Sequence, residues 1–530
     1  MRLVSAVVTL ALALAGSSVR AASSCVDLKK LPLGDATITQ AESVPAGSFT
    51  ARGRGPGAGA VTVPFCRVQG VITPTSDSHI EFEVWLPATG WNGRYQGVGN
   101  GGFAGGIGYT DLAMAVKGGY AASATDTGHR AEGPAIDARW ALGHPEKIID
   151  YGYRAIHETA EKSKAIVRAF YGEPVKHSYF SSCSNGGRQA LMEAQRYPAD
   201  YDGIIAGAPA NNFTRVLSTF MWDVQATTLD PTSYITAGKF AAVEAAAVAA
   251  CDARDGVKDG IIDEPDKCAF DPSVLLCKAA ETDACLTAPQ ITALKKIYSG
   301  PRTSRGERLY PGFLPGGESG PGGWGAWISG ATPAASLQYG FATQGLANII
   351  FQNTTYDYKT FNVDRDVKAA DDLAGRTLNA IDPDLGAFQK RGGKLILYHG
   401  WSDAALPPTA TVEYFRDAAA KLGERANETI RLYMVPGMQH CGGGPGADSF
   451  GAAPAVSPVD ADPSRNMTAA LERWVEHGTA PSSIVATKYN ADGPSSGVKF
   501  TRPLCPYPLV AAYKGSGSTA DAASFSCVAR

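Results

Sequence analysis

Residues 79–209 alternate short apolar strands with helices that have one apolar face. Residues 79–87 alternate apolar and polar positions, which is typical of a half-buried strand. Residues 157–172 have apolar positions at helical spacing and end at a glycine. The same criteria predict strands at 94–98, 120–125, 177–182 and 203–209, and a helix at 185–196. This alternation predicts an α/β fold with parallel strands and crossover helices.

The alternation stops after Pro209 and resumes near residue 394. Residues 394–400 form a near-continuous apolar run suited to the centre of a sheet, and a helix at 411–421 and a strand at 431–437 follow. The intervening residues hold four cysteines and a glycine- and tryptophan-rich stretch. A chain of 530 residues is also too long for one ordinary core. We therefore predict a core domain of residues 23–209 and 391–530, with residues 210–390 inserted as a lid domain.

The N-terminal residues 1–22 have the features of a secretory signal peptide. Arg2 supplies a positive charge, Leu3 to Ala15 form the apolar segment, and small residues flank the expected cleavage site. No later stretch is expected to be long and apolar enough to span a membrane. The sequence therefore predicts a protein without a membrane anchor, secreted or periplasmic after the signal peptide is removed.

Composition narrows the class of protein further. Hydrophobic residues make up 44% of the chain, charged residues 19%, and the formal net charge is −3, which indicates a globular protein without a nucleic-acid partner. An even number of cysteines in an exported chain predicts disulfides, and the absence of a CxxC pair argues against a zinc-thiolate site. The ten cysteines are Cys25, Cys66, Cys183, Cys251, Cys268, Cys277, Cys285, Cys441, Cys505 and Cys527.

Ser184 lies between a predicted strand and a predicted helix, where a nucleophilic serine occupies a sharp turn in α/β-hydrolases. The residues two positions before and after it, Ser182 and Gly186, are small, as this turn requires. The backbone N–H of Asn185 would then be one donor of an oxyanion hole. Small residues in a strand-to-helix loop are common in α/β proteins, so this motif alone leaves an ordinary loop as the alternative.

Asp403 and His440 follow the strands 394–400 and 431–437 and complete the order serine, acid, histidine of α/β-hydrolases. A serine nucleophile needs a base to take its proton, and a carboxylate orients that base and stabilises its charged form. His399 is an alternative base, although it precedes Asp403 and breaks the order. Asp202 is an alternative acid.

The second oxyanion donor is expected in the glycine-rich segment after the strand 94–98. Gly101 and Gly102 are both candidates, and a flexible turn without a catalytic role is the alternative. Cys183 precedes the candidate nucleophile and Cys441 follows the candidate base. If the serine and the histidine meet, a disulfide between these cysteines would link two distant segments beside the site.

The chain resembles the tannase and feruloyl esterase family in three motifs: Cys-Ser-x-Gly-Gly, the aspartate in Gly-Trp-Ser-Asp, and His-Cys flanked by glycines. That family includes the mono(2-hydroxyethyl) terephthalate hydrolases. The resemblance covers nearly the whole mature chain. It implies an α/β-hydrolase core with an inserted lid, and Ser184, Asp403 and His440 as the catalytic triad. It also implies the disulfides Cys183–Cys441, Cys25–Cys66, Cys251–Cys268, Cys277–Cys285 and Cys505–Cys527.

An aspartate-rich loop lies between Cys251 and Cys268. Its crowded carboxylates repel one another, and a hard cation with oxygen ligands would relieve that repulsion. The spacing departs from the EF-hand pattern, so a solvated acidic turn is the alternative. The family resemblance implies a structural Ca²⁺ here and no organic cofactor. The implied ligands are the side chains of Asp252, Asp255, Asp259 and Asp263 and the carbonyls of Val257 and Ile261.

The resemblance implies a secreted serine carboxylic-ester hydrolase that acts on small aromatic esters through an acyl-enzyme. The expected substrates are feruloyl or other hydroxycinnamoyl esters, galloyl esters, or terephthalate half-esters. Asn185 and Leu406 differ from the residue types of the terephthalate-specific members and put terephthalate in doubt. Trp324 and Trp327, with Tyr339 and Phe341, are candidates for an aromatic acyl pocket; lid core is the alternative for each. The alternative functions are a peptidase or acyltransferase on the same scaffold, and a calcium-stabilised phenolic- or carbohydrate-binding protein without catalysis. The sequence pattern does not determine the oligomeric state.

Overall fold

The computed structural model of the protein describes residues 23–529 except 54–56, 132, 134, 453–460 and 492. The predicted signal peptide, residues 1–22, therefore lies outside the described residues. The strands are β1 (Ala36–Val44), β2 (Thr50–Ala51), β3 (Gly59–Ala60), β4 (Phe65–Ile72), β5 (Ile80–Pro87), β6 (Arg94–Val98), β7 (Ala121–Thr125), β8 (His177–Cys183), β9 (Gly203–Gly207), β10 (Lys394–Gly400), β11 (Ile430–Val435), β12 (Ile484–Tyr489), β13 (Val498–Leu504), β14 (Val510–Tyr513) and β15 (Phe525–Val528).

A nine-stranded sheet with the order β1-β4-β5-β7-β6-β8-β9-β10-β11 forms the centre of the protein. The pairs β1–β4, β4–β5 and β5–β7 are antiparallel, and the strands from β7 to β11 in this order are parallel. Helices cover both faces of the parallel half, which is why β10 is mostly apolar and buried from Leu395 onward. Short hairpins, β2–β3, β12–β13 and β14–β15, lie outside this sheet.

The α-helices connect and cover these strands. They are α1 (Tyr109–Lys117), α2 (Pro145–Ile149), α3 (Ala155–Tyr171), α4 (Asn185–Arg196), α5 (Phe213–Thr228), α6 (Phe240–Cys251), α7 (Ala288–Ser299), α8 (Leu337–Gln344), α9 (Val363–Ala370), α10 (Arg376–Leu378), α11 (Gly386–Lys390), α12 (Pro408–Leu422) and α13 (Met467–His477). Every strand and helix named in the sequence analysis is present, with ends that differ by no more than three residues. The α/β-hydrolase core is thereby confirmed.

The segment between β9 and β10 adds no strand to the central sheet and carries the helices α5 to α11. Phe220 of α5 packs with Phe341 of α8 and the neighbouring helices in one apolar cluster. Trp324 and Phe240 belong to a second cluster. The first cluster is shared with the core, since Phe103, Tyr151 and Leu406 belong to it, and the second lies mostly within the inserted segment.

Five disulfides connect the cysteines, and no free cysteine remains in the described part of the chain. The pairs are Cys25–Cys66, Cys183–Cys441, Cys251–Cys268, Cys277–Cys285 and Cys505–Cys527, as the family resemblance implied. The Cys183–Cys441 bond closes the longest loop, with a sequence separation of 258 between its cysteines. It joins the end of β8 to the segment after β11.

One helical run, Pro231–Asp255, corrects the expectation that no later stretch reaches the length and hydropathy of a membrane span. It has 25 residues and a mean hydropathy of 1.3, because α6 is rich in alanine. The regular α-helix within it has only 12 residues, or about 18 Å, whereas a bilayer core is about 30 Å thick. Phe240 and Val243 of this helix pack inside the lid.

Candidate active site

Ser184 stands at the turn between β8 and α4 with a backbone conformation that side chains rarely adopt, φ 66° and ψ −124°. Its N–H donates to the Gly207 carbonyl at 3.0 Å, and its carbonyl accepts from Ala210 at 3.1 Å. A Cβ on Gly186 would come within 1.9 Å of Ser182 Oγ, so glycine is required there. The turn therefore has the geometry of a nucleophile elbow, with the serine at the amino end of a helix.

Asp403 and His440 meet at the same edge of the sheet, beyond the ends of β10 and β11. His440 Nδ1 lies 2.8 Å from Asp403 Oδ2, and the other carboxylate oxygen accepts from the N–H groups of Ala405 and Leu406 at 2.7 and 2.9 Å. Burial alone would raise the pKa of Asp403, but the charge of His440 and hydrogen bonds from His399 and His440 hold that pKa below its ordinary value. The carboxylate is therefore ionised and fixes the imidazole so that Nε2 is left for a nucleophile.

Ser184 and His440 line one pocket, and the disulfide between Cys183 and Cys441 links their chain neighbours. Among the described residues, Ser184 Oγ makes no hydrogen bond to His440. Such catalytic hydrogen bonds are often long before substrate binds. The three side chains thus converge on one site, in the order serine, aspartate, histidine along the chain.

The two alternative residues take other positions. His399 is fully buried, with Nδ1 at 2.7 Å from Thr411 Oγ1 and Nε2 at 3.1 Å from Asp403 Oδ2. His399 therefore hydrogen-bonds to the aspartate, and both of its ring nitrogens are occupied, so neither is available as a base. Asp202 accepts from the N–H of Ser178 at the amino end of β8, which is the opposite edge of the sheet from Ser184. Neither residue lines the pocket.

The two glycine candidates for the oxyanion hole differ in position. Gly102 lines the pocket beside Ser184 and Asn185, whereas Gly101 is exposed and lies outside the pocket lining. The segment is held by Asn100, whose N–H donates to Gln189 Oε1 at 3.0 Å and whose amide donates to the Thr125 carbonyl at 2.8 Å. Of the two glycines, Gly102 is therefore the one that shares the pocket wall with Ser184 and Asn185.

Arg188 is a supporting residue that sequence patterns did not indicate. Its guanidinium is fully buried and donates to Asn185 Oδ1 at 2.8 Å and to the carbonyls of Tyr151 and Gly152 at 3.0 and 2.8 Å. Tyr151 also donates to Asn185 Oδ1, at 3.0 Å. These contacts fix the first residue of α4 and thereby the direction of its backbone N–H.

A pocket of about 400 Å³, counting its open mouth, leads away from Ser184. Trp327 and Leu406 line it as expected, and so does Phe341. The expectation for Trp324 needs correction, because its ring is 1% exposed and packs in the lid core against Tyr298, Phe240 and Phe313. Tyr339 also lies outside the lining. The complete lining is Gly102, Phe103, Ser184, Asn185, Ala210, Phe213, Val216, Leu217, Phe220, Trp327, Phe341, Ala405, Leu406 and His440.

The lining has no lysine, arginine or carboxylate. Apart from the serine, the asparagine and the histidine, every side chain in it is apolar or absent. Trp327 stacks on Phe341 with ring centroids 6.1 Å apart and meets the His440 ring edge-on at 5.3 Å. The pocket therefore suits a flat, uncharged acyl group.

The aspartate-rich loop lies at the lid, between the ends of the Cys251–Cys268 disulfide. Burial raises the pKa of Asp263, and the carboxylates of Asp255 and Asp259 raise it further. Asp252 accepts from the N–H of Gly260 at 3.2 Å, and Asp259 Oδ2 lies 2.5 Å from the guanidinium of Arg502. The loop is rich in carboxylate oxygens, which are the ligands that a hard divalent ion prefers, although Arg502 already pairs with one of them.

Comparison with known proteins places the chain in a family. Residues 66–528 match the family model of tannase and feruloyl esterase. An uncharacterized esterase of Xanthomonas campestris pv. campestris is 44% identical, over 96% of this chain and 92% of that protein. The crystal structure of feruloyl esterase B from Aspergillus oryzae is 31% identical with a TM-score of 0.85, covering 95% of this chain and 99% of that one.

A tannin acyl hydrolase from Aspergillus niger shares the fold, with a TM-score of 0.73 at 24% identity over 94% of this chain and 92% of that one. The site described above has the serine, acid and histidine that ester hydrolysis on this fold requires. The chain belongs to the tannase and feruloyl esterase family and is a carboxylic ester hydrolase.

Proposed function

We propose that the protein is an exported serine esterase that hydrolyses esters of aromatic carboxylic acids through an acyl-enzyme on Ser184. The observation that carries this proposal is the pocket that joins Ser184, Asn185 and His440 to a wall of aromatic and aliphatic side chains. Five disulfides favour an oxidising compartment, which agrees with export.

In the first step Ser184 Oγ attacks the ester carbonyl while His440 Nε2 takes its proton. The charge of Asp403 stabilises the imidazolium, and the N–H groups of Asn185 and Gly102 stabilise the oxyanion. His440 then gives the proton to the leaving alcohol, whose bond to the carbonyl carbon breaks. Water then attacks the acyl carbon while His440 takes one of its protons, the bond from that carbon to Ser184 Oγ breaks, and His440 returns the proton to Ser184 as the acid leaves.

The acyl group determines which substrates fit. A terephthalate half-ester would place a carboxylate in the pocket, where no lining side chain is cationic, and an unpaired buried charge is strongly unfavourable. A feruloyl or galloyl ester is uncharged and meets no such penalty. The pocket therefore supports phenolic acyl groups over the terephthalate half-ester.

A substrate panel tests the proposal. We expect kcat/KM for methyl ferulate or methyl gallate to exceed that for the monomethyl ester of terephthalate by at least about tenfold, since one uncompensated polar contact costs 1.4 kcal/mol or more. Initial rates at equal ester concentration measure this, with methyl butyrate as a small aliphatic control. Preference for the terephthalate ester or for butyrate would contradict the aromatic phenolic assignment. Equal hydrolysis of a peptide amide would favour the peptidase alternative.

We also propose that the lid binds one Ca²⁺ with a structural role. The side chains of Asp252, Asp255, Asp259 and Asp263 and the carbonyls of Val257 and Ile261 would hold it, and the ion would neutralise their repulsion. This loop is separate from the Ser184 pocket, since none of its residues lines that pocket.

Chelation provides the test of the ion. We expect EDTA to lower Tm by several degrees and Ca²⁺ to restore it, because a ligand that binds only the folded state stabilises it. Asp263→Asn should abolish this Ca²⁺ dependence. The exposed Asp271→Asn is the control and should keep it. A melting temperature that changes neither with EDTA nor with added Ca²⁺ would rule out the site.

A further inference from the structure

Two histidines share one oxygen of the Asp403 carboxylate. His440 Nδ1 lies 2.8 Å from Asp403 Oδ2, and His399 Nε2 lies 3.1 Å from the same atom. The other carboxylate oxygen accepts from the N–H groups of Ala405 and Leu406. Each oxygen of the carboxylate therefore has two donors. The candidate base shares its acceptor atom with a histidine that lies outside the pocket lining.

The ring of His399 is held at both of its nitrogens. It is buried near the end of β10, and its Nδ1 lies 2.7 Å from the hydroxyl oxygen of Thr411, a buried residue of α12. An ionised carboxylate can only accept, so the Nε2 that faces Asp403 carries a hydrogen. The threonine hydroxyl can then donate to Nδ1, and the neutral ring satisfies both contacts. His399 is thus a fixed donor to Asp403.

Two donors on one oxygen divide its capacity to accept. Burial opposes ionisation of Asp403 most strongly, but the charge of His440 and hydrogen bonds from both histidines hold the pKa of Asp403 below its ordinary value. A donor that stabilises a carboxylate also makes that carboxylate a weaker acceptor for its other partners. An Asp403 shared with His399 therefore stabilises a protonated His440 less than an unshared Asp403 would.

We propose that His399 is a positioning residue that sets the basicity of His440 through Asp403. It holds the shared oxygen in place and limits the stabilisation of the imidazolium, so that His440 stays unprotonated, and the enzyme active, further into acid. This inference rests on the serine esterase mechanism proposed above.

The lid brings further groups close to this network. Trp327 meets His440 edge-on and carries no charge. Glu318 is buried, and burial raises its pKa to about 7. Its carboxyl accepts from the N–H of Gly316, whose carbonyl in turn accepts from Ser402, the residue before the catalytic aspartate. Because Glu318 can also titrate near neutral pH, the test compares variants that all retain it.

Three substitutions at position 399 separate the hydrogen bond from the bulk of the ring. His399→Leu fills the space without a donor. His399→Asn carries a shorter amide that reaches toward Thr411 and not to Asp403, and His399→Gln carries an amide N–H near the place of the ring Nε2. All three keep the residues of the acyl pocket and the oxyanion donors.

The pH dependence of kcat/KM is the measurement. We expect its acid limb to move to higher pH by about half a pH unit to one pH unit in His399→Leu and His399→Asn, because an unshared carboxylate stabilises the imidazolium more. His399→Gln should restore the wild-type position within about 0.2 pH unit, since it returns the donor. Methyl cinnamate is the substrate, because it has no ionisable group, and thermal unfolding verifies that each variant is folded.

His157→Gln is the matched control. His157 Nδ1 lies 2.6 Å from Asp200 Oδ2, so this residue is also a histidine that contacts an aspartate. The Asp200 carbonyl accepts from Ser178 at the amino end of β8, the opposite edge of the sheet from Ser184. The control variant should therefore leave the acid limb unchanged.

The outcomes are distinct. An acid limb that stays in place in folded His399→Leu and His399→Asn, or that moves equally in His399→Gln, would overturn the inference and leave His399 a role in packing alone. If His399→Leu does not fold, the comparison of His399→Asn with His399→Gln decides. Failure of the esterase proposal has a different signature, namely no hydrolysis of aromatic esters by folded wild-type protein at any pH.

Discussion

Ser184→Ala is expected to lower kcat/KM for aromatic esters by at least about 10⁴-fold, because no other hydroxyl lines the pocket beside His440. The loss should lie in kcat, since the acyl pocket and the oxyanion donors remain. Folding should survive, because alanine differs from serine only by the hydroxyl and both residues bear the same strain at φ 66°.

Three measurements check this result. Initial rates with methyl ferulate give the activity, thermal unfolding gives Tm within about 2 °C of wild type, and a fluorophosphonate probe should label the wild type but not the variant. Ser182→Ala is the matched control, since that hydroxyl lies two residues away and outside the pocket. Ester hydrolysis by Ser184→Ala at the wild-type rate would refute the assignment of the nucleophile.

Most strands and helices of the core can be predicted from the sequence, because the local hydrophobic pattern and the long-range packing agree there. Strand β10 is mostly apolar and lies between two parallel neighbours, so its burial follows from its composition. Helix α4 begins at the required turn. By contrast, the sequence pattern does not predict β1. Its pairing with β4 shifts register between Ile38 and Gln40, and the bulge interrupts the alternation that marks a strand.

Within the site, the order of residues along the chain predicts the serine, the aspartate and the histidine. It does not predict the residues that hydrogen-bond to them or to their neighbours. His399 reaches Asp403 from four residues away, and Arg188 bonds to carbonyls that come from other elements. Such contacts depend on where the backbone turns, which spacing does not encode. Trp324 and Trp327 show the same limit of sequence-based prediction. They are three positions apart, yet Trp324 packs in the lid core and Trp327 lines the pocket. Composition identified both as apolar and could not distinguish their directions.

The remaining large effect concerns Asp403, which holds His440 through one oxygen and is itself held by two backbone N–H groups. We expect Asp403→Asn to lower kcat by about 10³- to 10⁴-fold, because an amide at this position favours the wrong tautomer of the imidazole and cannot stabilise its charged form. KM should change little, since Asp403 does not line the acyl pocket. Steady-state kinetics separate the two parameters, and Asp202→Asn at the opposite edge of the sheet is the control.

The pH dependence of stability gives a second, independent measurement on the same variant. The pKa of Asp403 is held below its ordinary value of 3.8, since the charge and hydrogen bonds of His440 and His399 outweigh the opposing effect of burial. Its ionised form therefore stabilises the fold above about pH 4, and this contribution is lost as the pH falls through the lowered folded-state pKa. The difference in unfolding free energy between wild type and Asp403→Asn should accordingly be largest near neutral pH and shrink in acid. A constant difference from pH 7 to pH 2 would show that the carboxylate contributes no charge interaction, and the proposed role in holding the imidazolium would then be wrong.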